Sequence, residues 1–209
     1  MKPESKNAQG KRYGGPYTPA GLSPYGIRAR AEGAEAPPVE PARTSSRTDL
    51  EFAERTALAL REQFGAELLQ IVHFRGEWTA VLKPERVLEF MQFLRDTWGY
   101  RMCHDVTSVD LYPEEPRFMV VYHLLNLDQA VRFRVKCPVS GETPEIDSVV
   151  PLWLGADYAE REVFDLMGIR FRGHPDLRRI LMPDDYQHHP LRKDFPLTGF
   201  PVGIDALKD

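Results

Sequence analysis

Apolar positions along the chain recur first at a helical period and then at a strand period. Leu50, Ala53, Ala57, Leu60 and Phe64 fall on one helical face. Thr48 with Glu51 gives that helix a capping-box start, and Gly65 closes it. Residues 67–74 (ELLQIVHF) and 77–82 (EWTAVL) read as two strands joined across Arg75-Gly76, a tight-turn pair. Pro84 suits the first turn of a second helix. Val87, Leu88, Met91, Leu94 and Trp98 make that helix amphipathic as far as Gly99. Three further strands are expected at 103–111, 117–125 and 130–137, the middle one β-branched and aromatic enough to be central. The order α-β-β-α-β-β-β predicts a small two-layer α+β domain with two helices on one face of a largely antiparallel sheet. A further helical region is expected at about 146–167.

Beyond Gly168 the pattern changes. Pro175, Pro183, Pro190, Pro196 and Pro201 exclude long helices and central strands. Leu177, Ile180, Leu181, Leu191, Phe195 and Leu197 nevertheless keep the stretch apolar. Such a long proline-punctuated segment is unusual as a loop within one domain and makes sense as an arm laid against another protein's surface. At the other end, residues 1–48 contain seven Pro and six Gly with almost no large aliphatics, a composition expected to stay disordered by itself. The organisation expected is therefore an extension (1–48), an α+β domain (49–167) and an extended C-terminal arm (168–209).

Charge narrows the function classes. Residues 1–48 hold eight Lys/Arg against four Asp/Glu, whereas the whole chain carries -4. The remainder is thus acidic, which argues against a folded nucleic-acid binder. No apolar run approaches the ~18 residues of a membrane span, and the first residues are not those of a secretory signal. Cys103 and Cys137 lack CxxC spacing and read as free thiols of a reducing compartment.

Residues 160–181 carry the densest chemistry: Glu160-Arg161-Glu162, Asp165, then Gly173-His174-Pro175-Asp176-Leu177-Arg178-Arg179-Ile180-Leu181. A second His-Pro block follows, His189-Pro190-Leu191-Arg192-Lys193-Asp194-Phe195-Pro196. Asp157, Arg161 and Asp165 form an i, i+4, i+8 charge ladder on one helical face. Ala159, Val163 and Leu166 line another face, with Tyr158 and Phe164 beside them. A solvated ladder is the plain reading. The sharper one has Glu160, Arg161 and Glu162 hold the helix against the arm or a neighbouring subunit through Arg–carboxylate pairs, which give register more than stability. Glu160 and Glu162, two apart on a helix, point in different directions and do not converge as an acid–base pair. His174, His188 and His189 with Asp176, Asp184 and Asp185 lack zinc-motif spacing. No GxGxxG, GxxxxGK[ST] or GxSxG motif occurs.

Glu160, Arg161, Glu162, Asp165, Leu166, Met167, His174, Arg178, Ile180 and Leu181 stand in a fixed register that resembles the signature of the 30 kDa subunit family (the C subunit) of respiratory complex I. The resemblance covers about 49–200. It implies a non-redox structural subunit in the peripheral arm of proton-translocating NADH-quinone oxidoreductase, an enzyme only as part of that translocase. It also implies docking chiefly on the hydrogenase-like D subunit, which helps form the quinone cavity. The B subunit and other peripheral-arm subunits would be neighbours. FMN, Fe–S clusters and quinone belong to those partners, with no cofactor, metal or catalytic residue in this chain. The complex would place it peripherally on the cytoplasmic side of the inner membrane. The interface residues implied are Glu160, Arg161, Glu162, Asp165, His174, Pro175, Asp176, Arg178, Arg179, His189, Pro190, Arg192, Lys193 and Phe195. A homologous subunit of a membrane-bound hydrogenase or another-donor complex is the alternative. His188, where many members carry glycine, and the basic extension fall outside the family pattern.

Overall fold

The computed structural model describes residues 47–198, with side chains described from Glu51 onward. The 1–46 extension and the Thr48 cap therefore lie outside the described residues and side chains. In chain order the elements are α1 (Arg47–Phe64), β1 (Leu68–Phe74), β2 (Glu77–Leu82), α2 (Val87–Asp96), β3 (Met102–Asp110), β4 (Phe118–Asn126), β5 (Val131–Val139), β6 (Glu145–Asp147), α3 (Asp157–Met167) and β7 (Arg170–Arg172). Single 3-10 turns at Pro84–Arg86 and Leu154–Ala156 lead into α2 and α3.

The helical stripe on α1 is what the periodicity requires: Ala53, Ala57, Leu60 and Phe64 are all buried. Thr56, buried among them, is satisfied by donating from Oγ1 to the Phe52 carbonyl at 3.0 Å. The five-stranded sheet runs β1-β2-β5-β4-β3. Its pairings are antiparallel except for β2 beside β5, where Trp78 to Val81 run parallel to Phe133 to Lys136. An N-terminal hairpin and a β3-β4-β5 meander thus meet along one parallel seam. Period-2 alternation puts Phe118, Val120, Tyr122 and Leu124 of β4 on the core face, opposite Val139, Cys137, Val135 and Phe133 of β5. Phe64 of α1 meets Phe90 and Phe93 of α2 at ring-centroid distances of 5.1 and 5.6 Å. Helices and inward strand residues share one hydrophobic core.

The expected helix at 146–167 begins only at Asp157. Val149 and Val150 are β-branched and Pro151 has no N–H to donate, so the chain turns there and does not coil. Residues 145–147 instead form β6, which pairs in parallel with β7 just after α3. Three-residue strands leave no alternation to read, so this small second sheet had no sequence signal. It matters because it anchors both ends of α3, and α3 packs over the edge strand β3. The arm of residues 173–198 starts from β7.

In the β1–β2 turn both Arg75 (φ 50) and Gly76 (φ 80) adopt left-handed backbone. Asn tolerates that region better than Arg, and Asn-Gly is the preferred pair for such hairpins. Arg75→Asn is expected to raise stability by up to ~1 kcal/mol, read as a higher urea midpoint with an unchanged m-value.

Candidate functional site

α3 presents three buried ionisable side chains, Glu160, Arg161 and Asp165, exposed by 0, 6 and 0%. Two members of the expected Asp157–Arg161–Asp165 ladder are thus buried, Asp157 is half-buried against His174, and no two of them pair with each other. Glu160 turns to the segment before the helix, and Arg161 and Asp165 turn to the arm.

Glu160 points back at the turn before α3. It accepts hydrogen bonds from Ser148 Oγ at 2.6 Å and from the Val149 amide at 2.7 Å, with no ion-pair partner among the described residues. Burial, only partly countered by those two donors, pushes its carboxyl up to about 7 from 4.5. The same charge contributes, after burial, to lifting the Cys103 thiol to about 12. Cys137 is buried on β5 and likewise raised by burial.

Arg161 and Asp165 hold the arm. Arg161 donates from Nε to the Arg178 carbonyl at 3.2 Å and from Nη2 to the Arg179 carbonyl at 3.1 Å. The sequence led us to expect carboxylate partners for this arginine, and it has main-chain carbonyls instead. Asp165 Oδ2 accepts the amides of Ile180, Leu181 and Met182 at 3.1, 2.7 and 2.8 Å. Its Oδ1 takes Arg179 Nη1 at 2.6 Å. Burial alone would raise the Asp165 pKa, but these amides and the Arg179 guanidinium outweigh it and hold the carboxyl below its ordinary range. A run of consecutive amides around one carboxylate forms an anion-binding nest, here filled by the chain's own side chain.

The second His-Pro block closes over the C-terminus of α3. The Leu191 amide donates to the Leu166 carbonyl at 3.1 Å, and Arg192 Nε donates to the Met167 carbonyl at 2.6 Å. His189 Nδ1 lies 2.8 Å from the Asp165 carbonyl, so that nitrogen carries the proton. Gly168 caps α3 in the left-handed region at φ 74. A Cβ there would collide with the Arg192 guanidinium and the His189 ring, so glycine is required for both reasons. A second anchor lies at the far end of β3. Asp110 accepts Arg117 Nε at 2.9 Å and Nη2 at 2.8 Å, together with the Lys193 amide at 2.8 Å. Arg117 also grips Asp194 through both of its η nitrogens, at 3.0 and 2.7 Å. Burial works against ionisation of Asp110, yet Arg117 and the Lys193 and Tyr112 amides hold it at about 2.

The structure thus gathers Arg161, Asp165, Arg179, His189 and Arg192 into one clasp between α3 and the arm. Glu160 supports it from behind. His174 accepts the Asp176 amide on Nδ1 at 3.0 Å, and its Nε2 faces the Asp157 carbonyl and carboxylate, both at 3.3 Å. Asp176 pairs with Arg178 at 2.7 Å on the surface. Glu162, Pro175, Asp176, Arg178 and Lys193 are exposed or partly so; Pro190 and Phe195 are half-buried along the arm. Ser148, Asp110, Arg117 and Asp194 were missed by sequence reasoning as members of this site. Asp110 and Arg117 are seven residues apart, but the other partners that bring these residues into the site lie 12 to 83 residues away, and nothing local marks them. Among the described residues no group of His, Cys, Asp and Glu is arranged to hold a metal ion.

With this geometry established, comparison with known proteins is decisive. The profile described as "Respiratory-chain NADH dehydrogenase, 30 Kd subunit" matches residues 80–201, which include α3, β7 and the clasp. The chain belongs to this family. It is 50% identical over 146 residues to the NADH-quinone oxidoreductase C subunit of Geobacter metallireducens, spanning 69% of this chain and 90% of that protein. The same-named protein of Roseiflexus castenholzii is 47% identical over 144 residues, covering 68% of this chain and 83% of its own length. Among solved structures, a trypsin-resistant fragment (1–134) of Nqo5 superposes with a TM-score of 0.53 at 34% identity, covering 60% of this chain and 99% of the fragment. A chain of the membrane-bound sulfane sulfur reductase, an archaeal respiratory membrane complex, has a TM-score of 0.60 at 21% identity, over 69% of this chain and 85% of its own, and shares the fold. The α+β architecture with a mostly antiparallel sheet is therefore the family's. No described helix is long and apolar enough to cross a membrane.

Two outcomes test the clasp. Asp165→Asn leaves Arg179 without its counter-charge in a buried setting and is expected to cost roughly 3–5 kcal/mol. Hydrogen exchange should show amides 180–182 losing protection before the sheet does. For Glu160 the folded-state pKa lies above the unfolded one. Its stabilising contribution is complete below about 4.5 and is lost as pH rises through about 7, a swing of about 3 kcal/mol. Unfolding free energies measured from pH 4 to 8 should therefore show a downward slope that Glu160→Gln removes.

Proposed function

We propose that this chain is a non-redox structural subunit of the peripheral arm of a proton-translocating NADH-quinone oxidoreductase. In this reading it docks chiefly on the hydrogenase-like D subunit, near the B subunit and the quinone module, on the cytoplasmic side of the cell membrane. NADH, FMN, the Fe–S clusters and quinone are handled by its partners, and this chain contributes shape. The observation that carries the reading is how the family signature is used. Arg161, Asp165 and Arg179 direct their hydrogen bonds to fixing the backbone of residues 178–182. Glu160 is sealed inside while Glu162 faces out, so the two carboxylates share no substrate. A chain that fixes an extended segment on its own surface presents a preorganised edge, which lowers the entropy lost on docking. The outward members, Glu162, Pro175, Asp176, Arg178 and Lys193, supply the polar part of that edge.

The test is to tag the chain in its own host, solubilise the membranes gently and fractionate by size. Elution in a large assembly containing flavin and inhibitor-sensitive NADH:quinone activity is expected. A large assembly with hydrogenase activity would keep the structural role and change the electron donor. Elution as a lone protein would overturn the reading.

A further inference from the structure

The outer side of α3 carries a surface that the clasp leaves unused. Leu154, at the 3-10 turn leading into the helix, is 84% exposed, and Tyr158 one turn later is 66% exposed. Next along this line comes Arg161, and then Leu181, the arm residue whose amide is seated on Asp165, at 63% exposed. Leu154 to Asp165 spans about 17 Å at the rise of a helix. Large apolar side chains this open and this close together are a mark of an interaction surface. Gly155 beside them has open space where a Cβ would stand.

Arg161 states what should cover this surface. Its guanidinium lies 5.4 Å from the Tyr158 ring centroid and is only 6% exposed as a residue. Nε and Nη2 are engaged by neutral carbonyls, while Nη1 has no hydrogen bond among the described residues. The arginines on the arm beside it, Arg178 and Arg179, are balanced by Asp176 and Asp165. Arg161 has no carboxylate within ion-pair distance among the described residues, for Asp157 faces His174 and Glu162 leaves the helix in another direction. Asp176, itself paired with Arg178, reaches Arg161 only at longer range, so a partner that covered Leu154, Tyr158 and Leu181 with apolar atoms alone would bury a cation with no carboxylate in contact, which is unfavourable. A partner bringing a carboxylate would meet a preoriented, already largely desolvated donor.

We infer that the Leu154–Tyr158–Arg161–Leu181 surface receives an acidic segment of another polypeptide. One Asp or Glu carboxylate sits on Arg161 Nη1, and flanking apolar side chains cover Leu154, Tyr158 and Leu181. The inference rests on the proposed role within a larger assembly and adds the chemistry of one contact to it.

Leu154→Asp sits at an exposed position and touches no arm hydrogen bond, so the isolated chain should keep its thermal midpoint; Tyr158→Asp exchanges the ring beside Arg161 for a carboxylate, and the isolated chain should stay folded. Both are expected to lose most of the assembled fraction in the tagged-membrane experiment, because the new carboxylate repels the incoming one. Photocrosslinking from p-benzoylphenylalanine at position 158, within the whole assembly, should join a peptide of another polypeptide with an Asp or Glu a few residues from the crosslink. Normal assembly of both variants would overturn the inference while leaving the structural-subunit reading intact. So would crosslinking only to this chain's own residues, or to a peptide without an acid in reach. An unsubstituted chain that joins no assembly overturns both.

Discussion

The path of the arm depends on one buried carboxylate. Asp165 is placed on the last turns of α3, where it gathers three consecutive backbone amides and one guanidinium. A proline-punctuated chain cannot satisfy its own amides by helix or ladder. An ionised acceptor pointing out of a rigid helix solves that problem for residues 180–182 at one point. Arg161, one turn earlier, solves the converse problem for the carbonyls of 178 and 179. The arm therefore has a defined path without any regular secondary structure, and its register against α3 is set to the residue.

The clasp is held from two further directions. Behind it, Glu160 fixes the turn that starts α3, and the β6–β7 pairing ties that turn to the strand leaving the helix. At the other end of β3, Arg117 bridges Asp110 and Asp194 and draws the arm's last described turn to the sheet. Helix, edge strand and arm become one body through ionic groups that are mostly inside. The cost of burying them makes sense where exact placement of a surface matters more than extra stability.

Sequence periodicity carried the sheet domain well, because its helices and strands bury one face each. The five long strands and first two helices lie close to their expected spans, and the one-sided layering follows from them. What periodicity could not carry were the features built by distant pairs. The parallel seam between β2 and β5 depends on where the meander docks, and no residue in either strand announces it. The start of α3 was misplaced by about ten residues because helical spacing in 146–156 is mimicked by a turn around Pro151. In the signature, residue identity was plain and residue role was not: Arg161 was expected to meet carboxylates and meets carbonyls. Asp110 and Arg117 pair with each other across seven residues, but nothing local announced that the pair would go on to hold Lys193 and Asp194.

The parallel seam also dictates an order of events during synthesis. β2 has β1 on one side as soon as the first hairpin forms, but its other edge waits for β5. Val131 follows Leu82 by 49 residues, so α2, β3 and β4 must all leave the ribosome before that edge is covered. Through that interval Trp78, Ala80 and Leu82 belong to an unfinished sheet with an open hydrogen-bonding rim, the kind of rim that recruits foreign strands. The hairpin at the start of the domain is thus its most exposed nascent part, and the chain's vulnerability to misassembly is concentrated where its final structure gives no sign of it.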